Sequence, residues 1–187
     1  MPIAELVAMP QPEEAPDLDD LYQRRVKSLY SAITEFAARA DTDLLPDQAK
    51  ALDLLRAVSR DIVSATKGVK HLNKNLRRYS DSSNPDIAKH YRQEKALIIG
   101  TLRALGLLNT DKEIGKHVFE DILANAEASN VVENGELDRL IRQGRITPEM
   151  ATSVINDTQY REDILKALIQ TAMVAIQHRG DVEELVA

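Results

Sequence analysis

The chain has 187 residues, 43% of them apolar and 29% charged, which is typical of one ordinary globular domain. It contains no cysteine, and this excludes disulfides, thiolate nucleophiles, zinc–thiolate sites and iron–sulfur clusters. The formal net charge of −6 disfavours a dedicated duplex DNA binder, because such a protein must neutralise phosphates. Aromatic residues make up only 4% of the chain, and glycine and proline occur seven times each, which disfavours large β-sandwiches and barrels.

The two ends of the chain differ in composition from the region between them. Residues 1–16 contain four prolines, and proline fixes φ and removes a backbone donor, so we expect a flexible, proline-rich and acidic segment. Residues 180–187 are short and acidic, which predicts a tail. We expect residues 17–179 to form one helical bundle domain. No segment approaches the length of apolar sequence that spans a bilayer, and residues 1–9 lack the pattern of a signal peptide.

Apolar residues spaced alternately three and four apart predict two long helices in the first half of the chain. The first is expected from about Asp19 to Ala40, with an apolar stripe made of Tyr22, Val26, Leu29, Ile33, Phe36 and Ala40. The second is expected to begin at Pro46, because proline is favoured at the first helical position. Its apolar seam consists of Leu55, Val58, Ile62, Ala65, Val69, Leu72, Leu76 and Tyr79. A seam of this length indicates packing against neighbouring helices, and Gly68 within it indicates a close helix contact or a hinge.

Capping residues and turn signals predict the remaining helices. The expected elements are a helix from Pro85 to about Gly106, one that follows a capping box at Thr110, a short one from Glu136 to about Gln143, and one from Pro148 to about His178. Five or six helices with short connections predict an all-α fold, an elongated antiparallel helical bundle.

The sequence lacks the common signatures of catalysis and cofactor binding. It has no GxSxG motif and no glycine-rich phosphate loop, and its carboxylate pairs lie at expected helix ends. His117 and Asp121 are four residues apart on one helix face, but two ligands are more typical of an ordinary surface pair than of a metal site. We therefore predict that the chain is not an enzyme and has no cofactor and no metal site.

The strongest charged feature lies in the second helix. Five basic residues occur there with no acid among them: Lys67, Lys70, Lys74, Arg77 and Arg78, here called the basic stripe. This stripe fits an anionic lipid, a phosphate-bearing ligand or an acidic protein surface. The alternative is a solvated face that acids from neighbouring helices, or from the acidic run between residues 13 and 20, neutralise in part. Nucleic acid is disfavoured because aromatic residues for base stacking are not interleaved, apart from Tyr79.

Polar residues interrupt the apolar pattern of the last helix at Asn156, Asp157 and Arg161. One interpretation is a polar patch that faces a partner or a ligand. The other is a kink, or a buried network in which Asp157 pairs with a base, since buried polar groups must be satisfied.

Two stretches of the chain resemble a known family. The first reads KHLNKNLRRY from Lys70 to Tyr79, and the second reads ITPEMATSVIND from Ile146 to Asp157. In this order and separation they resemble the carboxy-terminal cytoplasmic region of bacterial sodium/phosphate cotransporter family proteins, a region similar to the phosphate-uptake regulator PhoU. The resemblance covers roughly residues 50–178.

The resemblance implies a PhoU-like helical bundle that is attached to, or derived from, a membrane transporter. It implies a regulatory role in sodium-dependent phosphate transport and a cytoplasmic location at the inner face of the cell membrane. The transporter is then a partner in cis, if this chain is part of a longer protein, or in trans. The metal clusters of PhoU proteins do not carry over, because the repeated E/D-x-x-x-D motifs that bind them are not convincingly present.

The resulting hypothesis is a non-enzymatic regulatory module that acts through contacts of a helix face with a membrane transporter. We expect Lys70, Lys74, Arg77 and Arg78 to form the polar contact surface, beside anionic lipid headgroups. Two alternatives stay open. One is a metal-binding helical module in which acids and His117 assemble from several helices. The other is a structural homo-oligomerisation bundle, which the long apolar seam of the second helix favours.

Overall fold

A computed structural model describes residues 17–40, 44–107 and 112–177, together with Glu5 and Ala8. Within these residues the chain forms six helices and no strand, which confirms the predicted all-α bundle of five or six helices. The predicted C-terminal tail lies outside the described residues, as does all of the predicted N-terminal segment except those two positions.

The six helices are numbered here in chain order. Helix α1 is continuous and consists of Leu18–Asp20, a π-helical stretch Leu21–Val26, and Lys27–Arg39; the others are α2 (Pro46–Tyr79), α3 (Pro85–Leu107), α4 (Lys112–Ala128), α5 (Glu136–Arg142) and α6 (Pro148–Gln177). The predicted starts at the three prolines are confirmed. The predicted capping residue Thr110 and the predicted end at His178 lie outside the described residues.

Local polar groups and glycines fix where these helices begin and end. The side chains of Asp17, Asn84 and Thr147 each accept a hydrogen bond from a backbone N–H in the first turn of the following helix, at 2.8, 3.1 and 3.2 Å. Gly135 and Gly144 flank α5 with φ of 76° and 65°, a left-handed backbone that glycine adopts at little cost. The helix bounds therefore follow from chemistry that is local in sequence.

Helices α2 and α6 form the central antiparallel pair of the bundle. Gly68 of α2 lies against Ile164 of α6, and Asn75 further along α2 bonds Asp157 earlier in α6. Helix α3 packs on α6 and α2, α4 packs on α3 and α6, and α1 packs against α2. In the part of the chain that the structure describes, no helix is long and apolar enough to cross a membrane.

Two apolar clusters fill the space between the helices. The larger one joins α2, α3, α5 and α6 around Leu72, Ile87, Tyr91, Leu137 and Ile164. The smaller one joins α3, α4 and α6 around Leu97, Phe119, Ile122, Leu165 and Ala172. The second half of the predicted α2 seam is thus covered by α6 of the same chain.

The predicted apolar stripe of α1 is only partly buried. Leu29 and Phe36 expose 62% and 65% of their surfaces, whereas Ala37, which is outside the predicted stripe, is fully buried. The physical reason is the π-helical stretch, which takes more residues per turn and so shifts the phase of the side chains that follow. The predicted stripe assumes a regular α-helix and therefore places Leu29 and Phe36 on the buried side of α1, whereas they lie on its exposed side.

Gly68 supplies the first testable prediction. A Cβ atom there would lie 2.8 Å from Ile164 Cγ1, so Gly68→Ala forces either the Ile164 side chain or the two helices to shift. We expect the free energy of unfolding to fall by about 1–3 kcal/mol, although alanine is the better helix former. Gly106→Ala is the matched control, because its Cβ would meet nothing within 4 Å, and it should stabilise the protein by up to about 1 kcal/mol. Urea unfolding of both variants checks this, and equal effects would contradict it.

Candidate functional site

All five residues of the basic stripe are exposed on α2, but internal acids hold two of them. Lys70 forms an ion pair with Asp19 of α1, and Arg78 Nη1 lies 2.9 Å from Glu149 Oε1 of α6. The hydrogen bond and the charge of Asp19 raise the pKa of Lys70, and those of Glu149 raise the pKa of Arg78. The charges of Lys70 and Arg78 are thus neutralised in part by acids of α1 and α6, as in the alternative of a solvated, partly neutralised face.

The other three basic residues of the stripe have different surroundings. Lys67 Nζ lies 5.9 Å from the centre of the Tyr22 ring, a cation–π distance. Lys74 and Arg77 make no hydrogen bond or ion pair with any described residue, and they line a groove that the first turn of α1 closes on one side. The unpaired cationic surface is therefore narrower than predicted and centres on Lys74 and Arg77.

The three polar residues of α6 do not form one exposed patch. Asn156 lies on the surface, whereas Asp157 and Arg161 are buried. Of the two interpretations that the sequence left open, the burial of Asp157 and Arg161 supports the buried network. Its partners also differ from the expectation, because Asp157 pairs with neutral donors and not with a base.

Asp157 joins three helices. Its Oδ2 atom accepts hydrogen bonds from Tyr91 Oη at 2.5 Å and from Asn75 Nδ2 at 2.7 Å. Burial raises the pKa of Asp157, and these two hydrogen bonds oppose that rise by favouring the ionised form. The carboxylate thus fixes α6 against both α2 and α3.

A second polar centre joins α3, α4 and α6. Arg161 Nε lies 3.1 Å from Glu94 Oε2, and Arg161 Nη1 donates to the Ala126 carbonyl at 2.8 Å. Glu162 Oε1 lies 3.4 Å from Arg161 Nη2 and accepts a hydrogen bond from Asn130 Nδ2 at 2.7 Å. Arg161 is 0% exposed and Glu94 is 1% exposed, so this is a buried ion pair.

Sequence reasoning missed Glu94. The available signal was its spacing, because Glu94 lies three residues after Tyr91 and four before Ile98, which are both buried. A charged residue at a core position of a helix indicates a buried partner. The partner, Arg161, is on another helix, so spacing along α3 does not identify it.

His90 lies beside this pair and is also buried. Its Nε2 atom is 3.7 Å from Glu94 Oε1 and has no hydrogen-bond partner among the described residues. Burial lowers the pKa of His90 to about 4, and the charge of Arg161 adds to this effect. Burial raises the pKa of Glu94 to about 7, although Arg161 opposes the rise. Because these groups are closed off from solvent, we assign them to holding the helices together and not to meeting a ligand.

The metal alternative finds no support in the described part of the chain. No group of three or more histidine, aspartate and glutamate side chains is placed there to hold an ion. His117 Nδ1 lies 3.4 Å from Glu120 Oε2 in an exposed pair, so its nearest carboxylate partner is Glu120 and not the Asp121 considered from the sequence.

The comparisons with known proteins give no match: no family model, no curated protein and no solved structure is similar to this chain. The resemblance to the PhoU-like region therefore stays a prediction from the two sequence stretches. In the structure these stretches lie side by side on α2 and α6, where Arg78 contacts Glu149 and Asn75 contacts Asp157.

The hydrogen bond to Asp157 can be tested with a matched pair of tyrosines. Tyr91→Phe removes a donor from a buried carboxylate, so we expect the free energy of unfolding to fall by about 1–3 kcal/mol. Tyr79→Phe is the control, because Tyr79 stacks on Tyr91 with a ring separation of 5.1 Å and its buried hydroxyl has no partner among the described residues. That variant should be neutral or slightly stabilised in urea unfolding, and an equal loss from both would contradict the assignment.

Glu94 and His90 predict opposite pH dependences of stability. A carboxyl whose pKa is raised by folding binds more protons in the folded state, so Glu94 lowers the free energy of unfolding as pH rises from 4.5 to about 7. A histidine whose pKa is lowered by folding binds fewer protons in the folded state, so His90 raises the free energy of unfolding as pH rises from about 4 to 6.5. The two slopes oppose each other where these ranges overlap.

Single substitutions separate the two slopes. Glu94→Gln leaves the His90 contribution, so its stability should rise with pH between about 4 and 6.5, relative to wild type. His90→Gln leaves the Glu94 contribution, so its stability should fall over the same range. Asp157 titrates in all three proteins and cancels in the comparison. Urea unfolding across this pH range is the measurement, and parallel curves for the two variants would show that neither group has the assigned titration.

Proposed function

We propose that this chain is a non-enzymatic regulatory module of sodium-dependent phosphate transport that acts through contacts of a helix face with a membrane transporter. The observation that supports a contact role is the pair of exposed cations, Lys74 and Arg77, which have no partner among the described residues. The link to phosphate transport comes from the sequence resemblance, and the stretch that begins at Lys70 includes both cations.

The helix that carries these cations has a fixed position, because α6 packs against it. Asn75 of α2 bonds Asp157 and Gly68 lies against Ile164, so α6 fixes the position of the helix. Because the backbone of α2 is already fixed, only the two side chains must become ordered when they meet an acidic surface, and this favours binding. Charge contacts of this kind weaken as salt rises, because counterions screen them.

Under this proposal the module works at the inner face of the cell membrane, with the transporter in cis or in trans. The oligomerisation alternative loses its main argument, because α6 of the same chain covers the second half of the α2 seam. The metal-binding alternative gains no observation from the described residues.

The proposal predicts that Lys74→Glu together with Arg77→Glu changes sodium-dependent phosphate uptake at least about twofold without unfolding the bundle, since two attractive contacts of about 1 kcal/mol each become repulsive. The measurement is uptake of radiolabelled phosphate, with and without sodium, in cells whose own gene carries the variant. The matched control is Lys50→Glu with Lys95→Glu, which makes the same change in net charge at two exposed lysines outside the basic stripe. Wild-type uptake in the Lys74/Arg77 variant, or an equal change in the control, would refute the proposal.

A further inference from the structure

Helix α1 presents a stripe of exposed side chains that the packing of the bundle does not use. Its members, spaced 4, 3, 4 and 3 apart, are Arg25, Leu29, Ala32, Phe36 and Arg39, here called the outer stripe, and all of them are exposed. Leu29 and Phe36 are more exposed than the large apolar residues on the surface of the other described helices, such as Leu102 at 49% and Ile155 at 48%, and Leu45, just before α2, is exposed to a similar extent at 66%. Two exposed apolar side chains on one face of α1 offer an apolar contact surface.

The charges at the two ends of the outer stripe argue against a second copy of this chain as the cover. A symmetric antiparallel pairing that sets Leu29 against Phe36 also brings Arg25 close to Arg39. A symmetric parallel pairing sets each arginine against itself. Like charges that meet across an interface are destabilising, so the stripe is poorly suited to self-association.

The same pattern suits a lipid surface that carries negative charge. A helix that lies in a membrane interface buries apolar side chains to a shallow depth and keeps basic side chains at the headgroups. Arginine does this well, because its apolar stem follows the acyl chains while its guanidinium stays in the polar layer. Helix α1 has four basic residues and three acids, so its formal charge is +1, whereas the whole chain has a formal charge of −6. Asp20 pairs with Arg24 and Glu35 pairs with Arg39, and Arg25 and Lys27 form no ion pair with a described residue.

The outer stripe and the unpaired cations of α2 lie on the same side of the protein. Lys70 of the basic stripe pairs with Asp19 of α1, and Lys67 lies over the Tyr22 ring, so α1 packs on the face of α2 that carries the basic stripe. Helix α6 contacts α2 through Asn75 and through Arg78 of the basic stripe. Asp17 and Asp19, at the start of α1, line the same groove as Lys74 and Arg77. This region of the surface thus combines an exposed apolar pair on α1 with two cations of α2 that have no ion-pair partner among the described residues.

We propose that the outer stripe of α1 is a docking surface for an anionic phospholipid bilayer, with Leu29 and Phe36 inserted among the lipids and Arg25 and Arg39 at the headgroups. This inference deepens the proposed function, because it names the surface on which the regulatory module rests beside its transporter. The lipid contact itself is tested without the transporter.

The first experiment measures binding of the full chain to vesicles by co-sedimentation. Wild type should bind vesicles that mix phosphatidylglycerol with phosphatidylcholine, and it should bind phosphatidylcholine alone far more weakly. Leu29→Ser with Phe36→Ser should weaken binding to the mixed vesicles about tenfold, because two apolar side chains no longer enter the bilayer. Leu102→Ser with Ile155→Ser is the matched control at two exposed apolar positions on other helices, and it should bind as wild type does.

A second measurement reports where α1 lies. The chain has no tryptophan, so Phe36→Trp creates a single tryptophan, on the outer stripe, which can be excited without the tyrosines. Its emission should shift to the blue with mixed vesicles and stay unchanged with phosphatidylcholine alone. The emission of Ile155→Trp, whose single tryptophan is on α6, should not shift with either.

Several results would overturn the lipid assignment. These are no binding of wild type to mixed vesicles, equal binding to neutral vesicles, or equal binding after the Leu29/Phe36 substitution. Sedimentation velocity of the free protein could also overturn it. If the wild type is a dimer and the Leu29/Phe36 substitution dissociates it, a second copy of the chain, and not lipid, covers the outer stripe. The phosphate-uptake experiment with Lys74 and Arg77 is read separately, so failure of the lipid contact and failure of the regulatory role are distinguishable.

Discussion

The structure depends most on one buried charge. Arg161 is 0% exposed where α3, α4 and α6 meet, and removing a guanidinium from water costs several kcal/mol unless other groups replace the water. The Ala126 carbonyl of α4 and Glu162 of α6 accept hydrogen bonds from the guanidinium, and Glu94 of α3 lies within ion-pair distance of it, although Arg161 Nε and Glu94 Oε2 form no hydrogen bond with a described residue. A shift of α3 or α4 along α6 would leave the guanidinium without these partners. The buried charge therefore favours the present register of α3 and α4 on α6.

The hydrogen bonds of Asp157 extend this constraint to the basic stripe of α2. Asp157 lies one helical turn before Arg161 and ties α6 to Tyr91 of α3 and Asn75 of α2. Asn75 lies between Lys74 and Arg77 in sequence. The residue that fixes α2 against α6 and the two unpaired cations are therefore on the same turn of the helix. The polar interior of the bundle thereby fixes the position of the cationic face, and a mobile helix could not present it as well.

The sequence predicted most of the helix bounds, because they follow from local chemistry: Pro46, Pro85 and Pro148 each begin a helix, and Gly135 and Gly144 flank a short one. It could not predict which way α1 faces, because the π-helical stretch changes the periodicity on which the interpretation of Leu29 and Phe36 rested. It found the basic stripe but not its two unpaired members, since pairing depends on acids that α1 and α6 bring from far along the chain. The buried position of Glu94 was missed for the same reason, because its partner lies on another helix.

The negative net charge of the chain does not oppose docking on an anionic surface. At physiological ionic strength the screening length is about 8 Å, so a membrane senses the charges on the side that approaches it and little of the rest. That side carries Lys74 and Arg77 on α2 and Arg25 on α1, together with Asp17, which lines the same groove, and Asp19, which is paired with Lys70. If the proposed docking holds, the balance of these nearby charges, and not the net charge of the chain, sets the attraction to the lipid headgroups. A bilayer bound on this side would then hold the protein in one orientation, as the proposed contact of a helix face with a membrane-embedded partner requires.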